Sequence, residues 1–251
     1  LAVGATKLSL AGSGGGGQET LNATIQLNNA VSELEVISSD ADNITGTTIE
    51  VTADGPTIDT NVNFAPVAIG MTTSSGDCTL EVAAGKTLTT TVDVNANTLT
   101  LAQGGTISTV RLDTAGGALD VNASCTVTTT NVLANTSIDV AASQTLTSSL
   151  SIGTRTLLLT GDGTITSVAA TTGTIAANGN GTITTLTVNP GANNTFTYDG
   201  TGNSTVTTLT ALDATGETFA KADTGTLTVT NGFSFAGGTG INLDIDAGAF
   251  V

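Results

Sequence analysis

The stretch TLTSSLSIGTRTLLLTGDGTITSVAATTGTIAANGNGTITTLTV (145–188) opens three times on Thr-aliphatic-Thr, at Thr145, Thr164 and Thr182. Behind these openings come apolar residues two apart, such as Leu150 with Ile152, Leu157 with Leu159, and Leu186 with Val188. A spacing of two puts side chains on one face of an extended strand. A helix needs spacings of three and four, which this stretch lacks. Between the apolar pairs lie GDG (161–163) and NGNG (178–181), residues that tolerate tight or left-handed backbone. The unit is therefore strand, corner, strand, corner.

The same unit extends in both directions. TLTTT opens at Thr87, TISTV at Thr106, TVTTT at Thr126, TVTTL at Thr205 and TLTVT at Thr226. From Thr87 to Thr226 successive starts differ by 19, 20, 19, 19, 18, 23 and 21 residues. Each segment carries a second apolar pair: Leu99 and Leu101, Leu119 and Val121, Ile138 and Val140, Ile175 and Ala177, Phe196 and Tyr198. Val110 with Leu112 adds an apolar site between opening and pair, as Leu150 with Ile152 does. One such unit cannot bury its apolar face alone, whereas a stack of them can. The pattern predicts an all-β parallel β-solenoid (a β-helix) with rungs of about 20 residues and two or three short strands per rung.

Composition fits this interior. Of the 251 residues 39% are hydrophobic but only 3% aromatic, and small aliphatic side chains suit a narrow coil. The net charge is −16, with Lys7, Lys86, Arg111, Arg155 and Lys221 against 21 acidic residues, and the pI is near 4.1. Five scattered bases cannot neutralise a run of phosphates or anchor the chain on anionic lipid. No apolar run reaches the roughly 18 residues that a membrane helix needs. We expect no nucleic-acid partner and no membrane insertion. An acidic, lysine-poor chain that starts at Leu1 reads as a processed product that is secreted or displayed at a cell surface.

Residues 1–86 share the composition without the clear period. Strands are expected in ATKLSLA (5–11), TLNATIQL (20–27), TTIEVTA (47–53) and CTLEVAA (78–84). LNNAVSELEVI (27–37) has Leu27, Val31 and Leu34 at helical spacing, yet also Leu34 and Val36 at strand spacing; strand is favoured because its neighbours are strands. The chain then divides into 1–17 (a strand plus a Gly-rich linker), 18–86 (irregular early rungs) and 87–251 (regular solenoid). The linker SGGGG (13–17) would let the first strand pair with another subunit, with Lys7, Leu8 and Leu10 as contacts. Phe250 and Val251 are the matching candidates at the other end. Six of the seven aromatics follow residue 195, which suggests a coil that widens there.

Catalytic and metal chemistry find little to work with. The chain has no His, which removes Ser-His-Asp and imidazole sites, and SGGGGQET lacks the Lys of a phosphate loop. Carboxylate pairs are available to a sugar hydrolase, but aromatics for sugar stacking are scarce. We expect no enzyme and no cofactor. Asp40, Asp42, Asn43 and Glu50 form the densest oxygen cluster, a candidate for structural Ca²⁺, though Gly46 comes one place late for an EF-hand loop. Cys78 and Cys125, 47 residues apart, should stand about two rungs or ~10 Å apart, too far for a disulfide within one chain, which leaves open a bridge between subunits. N-glycosylation tripeptides, such as those at Asn22, Asn43, Asn122, Asn135, Asn193 and Asn203, are what an Asn/Thr-rich chain contains by chance.

The Thr-x-Thr openings, apolar pairs and Gly/Asn corners of residues 87–230 resemble passenger repeats of bacterial adhesins and autotransporters, and repeats of phage tail-fibre and extracellular filament subunits. The resemblance implies an extracellular scaffold that assembles with copies of itself, or else an adhesin that holds a cell-surface or glycan ligand on its corner loops. The Thr-x-Thr ladders also resemble those of ice-binding β-solenoids, which implies a third function.

Overall fold

The structure, a computed structural model, describes residues 1–4, 6–11, 22–37, 46–72, 76–211, 215–231, 233–235, 242–245 and 249–251. It is an all-β parallel β-solenoid of about ten turns, with about 21 residues and two strands per turn and no helix among the described residues. Two compact units divide it, Leu1–Thr130 and Asn131–Val251.

In the first unit one sheet takes Ala2–Val3, Thr24–Leu27, Thr48–Val51, Ala68–Met71, Thr87–Asp93 and Thr106–Leu112, each beside the next. A second sheet takes Lys7–Leu10, Glu33–Val36, Thr57–Thr60, Cys78–Val82, Thr98–Leu101 and Ala118–Val121. In the second unit the first sheet takes Thr145–Gly153, Thr164–Ala170, Thr182–Val188, Ser204–Ala211 and Thr226–Val229. Its second sheet takes Thr136–Val140, Thr156–Leu159, Thr174–Ala177, Thr195–Asp199, Thr218–Lys221 and Asn242–Ile245. The chain thus alternates between sheets, and each strand pairs in parallel with its equivalent one turn away.

Period-two alternation becomes columns of stacked aliphatics. Leu34, Ile58, Leu80, Leu101 and Val121 lie in register on the second sheet of the first unit, all buried. Leu146, Ile165, Ile183 and Val206 do the same on the first sheet of the second unit. Each such side chain contributes roughly 1.5–3 kcal/mol on burial, and every rung supplies several. Asn97, one of the buried polar residues, is answered from both ends of its amide. Asn97 donates from Nδ2 to the carbonyls of Met71 (3.1 Å) and Val94 (3.2 Å), and its Oδ1 accepts the Gly76 N–H at 2.9 Å.

The intermediate apolar sites suggested a third strand, and here the structure decides. Val110 and Leu112 belong to the same strand as the opening Thr106, as Leu186 and Val188 belong with Thr182. Between buried Ile183 and Leu186 both Thr184 and Thr185 turn outward, so an unbroken strand bends and changes which residue parity faces the core. Backbone pairing continues through the bend, which is why the rung has two strands.

Drift in rung length is absorbed by bulges and corners. Thr89 and Thr90 together oppose Ser108, and Thr147 and Ser148 together oppose Thr166. At the second bulge the Ser148 N–H donates to Thr166 Oγ1 at 2.9 Å, and that hydroxyl donates to the Ser148 carbonyl at 3.2 Å. A bulge leaves ladder groups unpaired, and one threonine repairs both. Thr166→Val keeps the shape and removes the repair. It should cost about 1–3 kcal/mol in urea denaturation, with Thr166→Ser close to wild type.

Residues 1–86 carry rungs. The expected strands appear as Lys7–Leu10, Thr24–Leu27, Thr48–Val51 and Cys78–Val82, and the ambiguous segment yields the strand Glu33–Val36. Thr57–Thr60 and Ala68–Met71 complete the series, although Thr60 occupies a core position in the first of them. The cysteines depart from expectation in a different way. Cys78 lies on the second sheet and Cys125 begins the strand Cys125–Val132 of the first, because 47 residues are not a whole number of rungs at about 21 residues each. Both are buried without a disulfide, and burial pushes their thiols up, to about 12 and about 11.

Candidate functional site

Strand register gathers charges that are far apart in sequence. On the outer face of the second sheet in the first unit, Lys7 pairs with Glu33, and Ser9 with Glu35, across adjacent strands. Glu35 stands in register with Asp59, and Asp59 with Glu81. Carboxylate oxygens of Glu33, Glu35 and Asp59 lie within 4.8 Å of one another. In-register like charges repel across one rung. Lys7 answers them: its Nζ sits 2.9 Å from Glu33 Oε1 and 2.6 Å from Glu35 Oε1, and the Ser9 hydroxyl donates to Glu35 Oε2 at 2.8 Å.

The side chain of Lys7 is accordingly held above its ordinary value, chiefly by its hydrogen bonds to Glu35 and Glu33. Glu35 is held below its ordinary value, first by Lys7 and then by Ser9. The depressed Glu35 adds stability above its ordinary value of 4.5, lost as pH falls through the folded value. Raised Lys7 adds stability below its ordinary 10.5, lost as pH rises through its own folded value. The clamp is whole at neutral pH and opens in acid. NMR cross-peaks of Lys7–Leu10 should broaden as the pH falls below the ordinary carboxylate value of 4.5, while those of Thr174–Ala177, which hold no carboxylate, stay sharp.

Oxygen-only ligands of this kind suit hard cations, but Lys7 already faces two of the three carboxylates. The sequence reading did not find this cluster. Glu-x-Glu followed one rung later by Asp was the only signal, and it has meaning only once register is known. Of the Ca²⁺ candidates, Glu50 is described: its Oε2 accepts from Gln26 Nε2 at 3.0 Å. Asp40, Asp42 and Asn43 lie outside the described residues.

The assembly candidates take separate places. Leu8 and Leu10 are half-buried and stand in register with fully buried Leu34 and Val36. Phe250 pairs through its backbone with Leu227, and exposed Val251 donates to the Leu227 carbonyl at 3.0 Å.

A second feature is the outer face of the first sheet in the second unit. Thr145, Thr164, Thr182 and Thr205 form one in-register column, and Ser149, Ser167, Thr185 and Thr208 another. Ser151, Ala169, Thr187 and Thr210 form a third. Starts that drift by 18 to 23 residues in sequence therefore deliver hydroxyls in register, because the bulges and corners take up the difference. None of these residues is charged.

The second unit has a small, partly open pocket of about 20 Å³ beside Leu159, Ala177, Gly179, Tyr198 and Ser204. That is room for about one water. Next to it the Tyr198 hydroxyl lies 2.8 Å from Ser204 Oγ, and burial pushes the phenol up to about 12. Lys221, in register with Tyr198 and also buried, donates to the Asp223 carbonyl at 2.6 Å. Among the described residues no helix is long and apolar enough to cross a membrane. Compared with protein-family models, with curated proteins and with solved structures, the chain matches none.

Proposed function

We propose that the chain is a structural subunit of an extracellular fibre, filament or surface layer. The observation that carries this is the unbroken rung-to-rung ladder in each unit, in which every strand is paired in parallel with the strand one turn away. Such a stack is stiff along its axis, since bending must stretch hydrogen bonds in both sheets at once. Corner N–H groups join the ladder too. Asn180 donates its N–H to Asp162 Oδ1 at 2.8 Å, Asn203 to Asn180 Oδ1 at 3.0 Å, and Thr226 to Asn203 Oδ1 at 3.2 Å. Extended strand edges offer the surface for joining subunits. Negative-stain microscopy of the purified chain tests the proposal: long filaments or sheets are expected, and discrete short rods at all concentrations would overturn it in favour of an adhesin or tail-fibre module.

The in-register hydroxyl columns favour a second reading, an ice-binding face. A regular, uncharged array of hydroxyls at about 4.8 Å along the axis can hold ordered water on a lattice. Thermal hysteresis lost in Thr164→Lys and Thr182→Lys variants of unchanged stability would support it; no hysteresis in the native chain would end it.

A further inference from the structure

We propose that Asn180 is a self-modifying site: the Gly181 backbone nitrogen attacks its side-chain amide, ammonia leaves, and hydrolysis gives aspartate or isoaspartate, which opens the corner. The proposal does not rest on the fibre reading.

The nucleophile sets this position apart. A backbone nitrogen attacks the preceding amide readily only when its N–H is not held by an acceptor, and a following glycine leaves ring closure free of a side chain. Among the described residues, other glycines that follow Asp or Asn have their N–H engaged. Gly55 donates to the Asp77 carbonyl at 2.9 Å, and Gly163 to the Val140 carbonyl at 2.8 Å. Gly179 donates to the Leu159 carbonyl at 3.2 Å, and Gly200 to Asp199 Oδ1 at 2.8 Å. The Gly181 N–H makes no such bond among the described residues.

The electrophile is exposed and held in place. Asn180 Oδ1, the oxygen that gains charge when Cγ is attacked, accepts the Asn203 N–H at 3.0 Å. Asn180 Nδ2, the nitrogen that leaves, donates to Asp162 Oδ1 at 3.3 Å. Asn178 Oδ1 has a comparable contact, accepting the Thr201 N–H at 3.2 Å, so the two asparagines differ at the nucleophile. Gly181 also lines the partly open pocket beside Tyr198 and Ser204, which has room for about one water.

The steps balance with water as the only co-reactant. The bond from Gly181 N to Asn180 Cγ forms, the Cγ–Nδ2 bond breaks, and the Gly181 proton leaves on Nδ2 as ammonia. Water then opens the cyclic imide. Addition at Cγ breaks the new bond and gives aspartate; addition at the main-chain carbonyl breaks the original peptide bond and gives isoaspartate. Aspartate sets a second carboxylate where Nδ2 had met Asp162. Isoaspartate lengthens the backbone where a Cβ on Gly181 would already lie 2.8 Å from the carbonyl oxygens of Gly161 and Gly163. The bond to the Asn203 N–H is then lost and the corner opens.

The test keeps the native chain in mildly alkaline buffer, folded or unfolded in guanidinium, with samples taken over time for tryptic mapping. The peptide 156–221 contains both Asn178 and Asn180, and fragmentation locates the mass gain and tells isoaspartate from aspartate. In the folded chain Asn180 should convert up to about tenfold faster than Asn178, whose glycine must first give up a hydrogen bond. In guanidinium that preference should vanish. Hydrogen exchange at the Asn203 N–H should rise in the aged folded chain. Equal or faster conversion at Asn178 in the folded chain overturns the proposal, as does a folded chain in which Asn180 does not convert. An unchanged preference in guanidinium would show that local sequence, not the corner, selects the site. Conversion at Asn180 with unchanged exchange at Asn203 would overturn the opening of the corner.

Discussion

Gly202→Ala is expected to destabilise the second unit by about 3 kcal/mol or more, a large effect for adding one methyl group. A Cβ at Gly202 would lie 2.0 Å from the Gly179 carbonyl oxygen and 2.7 Å from its carbon, atoms of the rung below. Gly179 is in the same position over Gly161, whose oxygen would lie 2.3 Å from an added Cβ. Backbone atoms held in two parallel ladders cannot swing aside as a side chain would, so rungs must separate at this corner or break pairing. Separation would also stretch the Asx bonds that run up the same corner through Asp162, Asn180 and Asn203. Gly4→Ala is the control, since nothing lies within 4 Å of a Cβ there, and it should stay within about 0.5 kcal/mol. Urea midpoints, with the slope checked for loss of two-state behaviour, measure both. Equal midpoints for the two variants would contradict the close-approach argument.

Phe196→Ala is expected to cost about 3–5 kcal/mol. Phe196 is fully buried on the second sheet, in register with Phe219, and the ring centroids are 5.4 Å apart at a tilt of 49°. In the preceding rung Thr174 stands in register with Thr197 and Ile175 with Tyr198, which places Phe196 beside Gly173, so a large filler enters where that rung has no side chain. Truncation therefore leaves a cavity in a layer whose backbone ladders hold the rungs in place. Phe196→Leu should recover more than half of the loss, and the Phe196→Ala/Phe219→Ala pair should cost less than the sum of the single changes. Because contacts run only between neighbouring rungs, hydrogen exchange should rise most around Thr195–Asp199 and Thr218–Lys221. A uniform rise over the whole chain would indicate a core that is not rung-local.

From Thr87 onward much of the fold was legible in particular residues. Leu99 with Leu101, Leu119 with Val121 and Ile175 with Ala177 were read as core pairs, and all six are buried. In the early rungs legibility fell where core positions are not aliphatic. Thr60 is buried in a column with Val36 and Val82, and a buried threonine looks in sequence like an exposed one. The number of strands per rung was not legible either. Thr184 and Thr185 break the alternation at a bend, and a break in alternation reads as a break in the strand.

The charged cluster shows the same limit at the level of a site. Glu33, Glu35, Asp59 and Lys7 lie on three consecutive rungs, and the connections 11–23 and 37–47 between rungs are irregular in length. Counting residues could not align them. Hydroxyl columns were half visible: the Thr-x-Thr openings were plain, but their in-register stacking depended on bulges at Thr90 and Ser148 that the sequence does not mark.

The sequence by itself determined the repeat, the parity of the buried face and the all-β character, because side-chain alternation is a local property of extended backbone. It also determined the acidity and the absence of imidazole chemistry. Tertiary structure alone decided that the rung has two strands, that Lys7 stands against Glu33 and Glu35, and that drifting threonines arrive in columns. Those are facts of register between rungs, set by corner lengths and bulges that place residues about 21 apart beside one another.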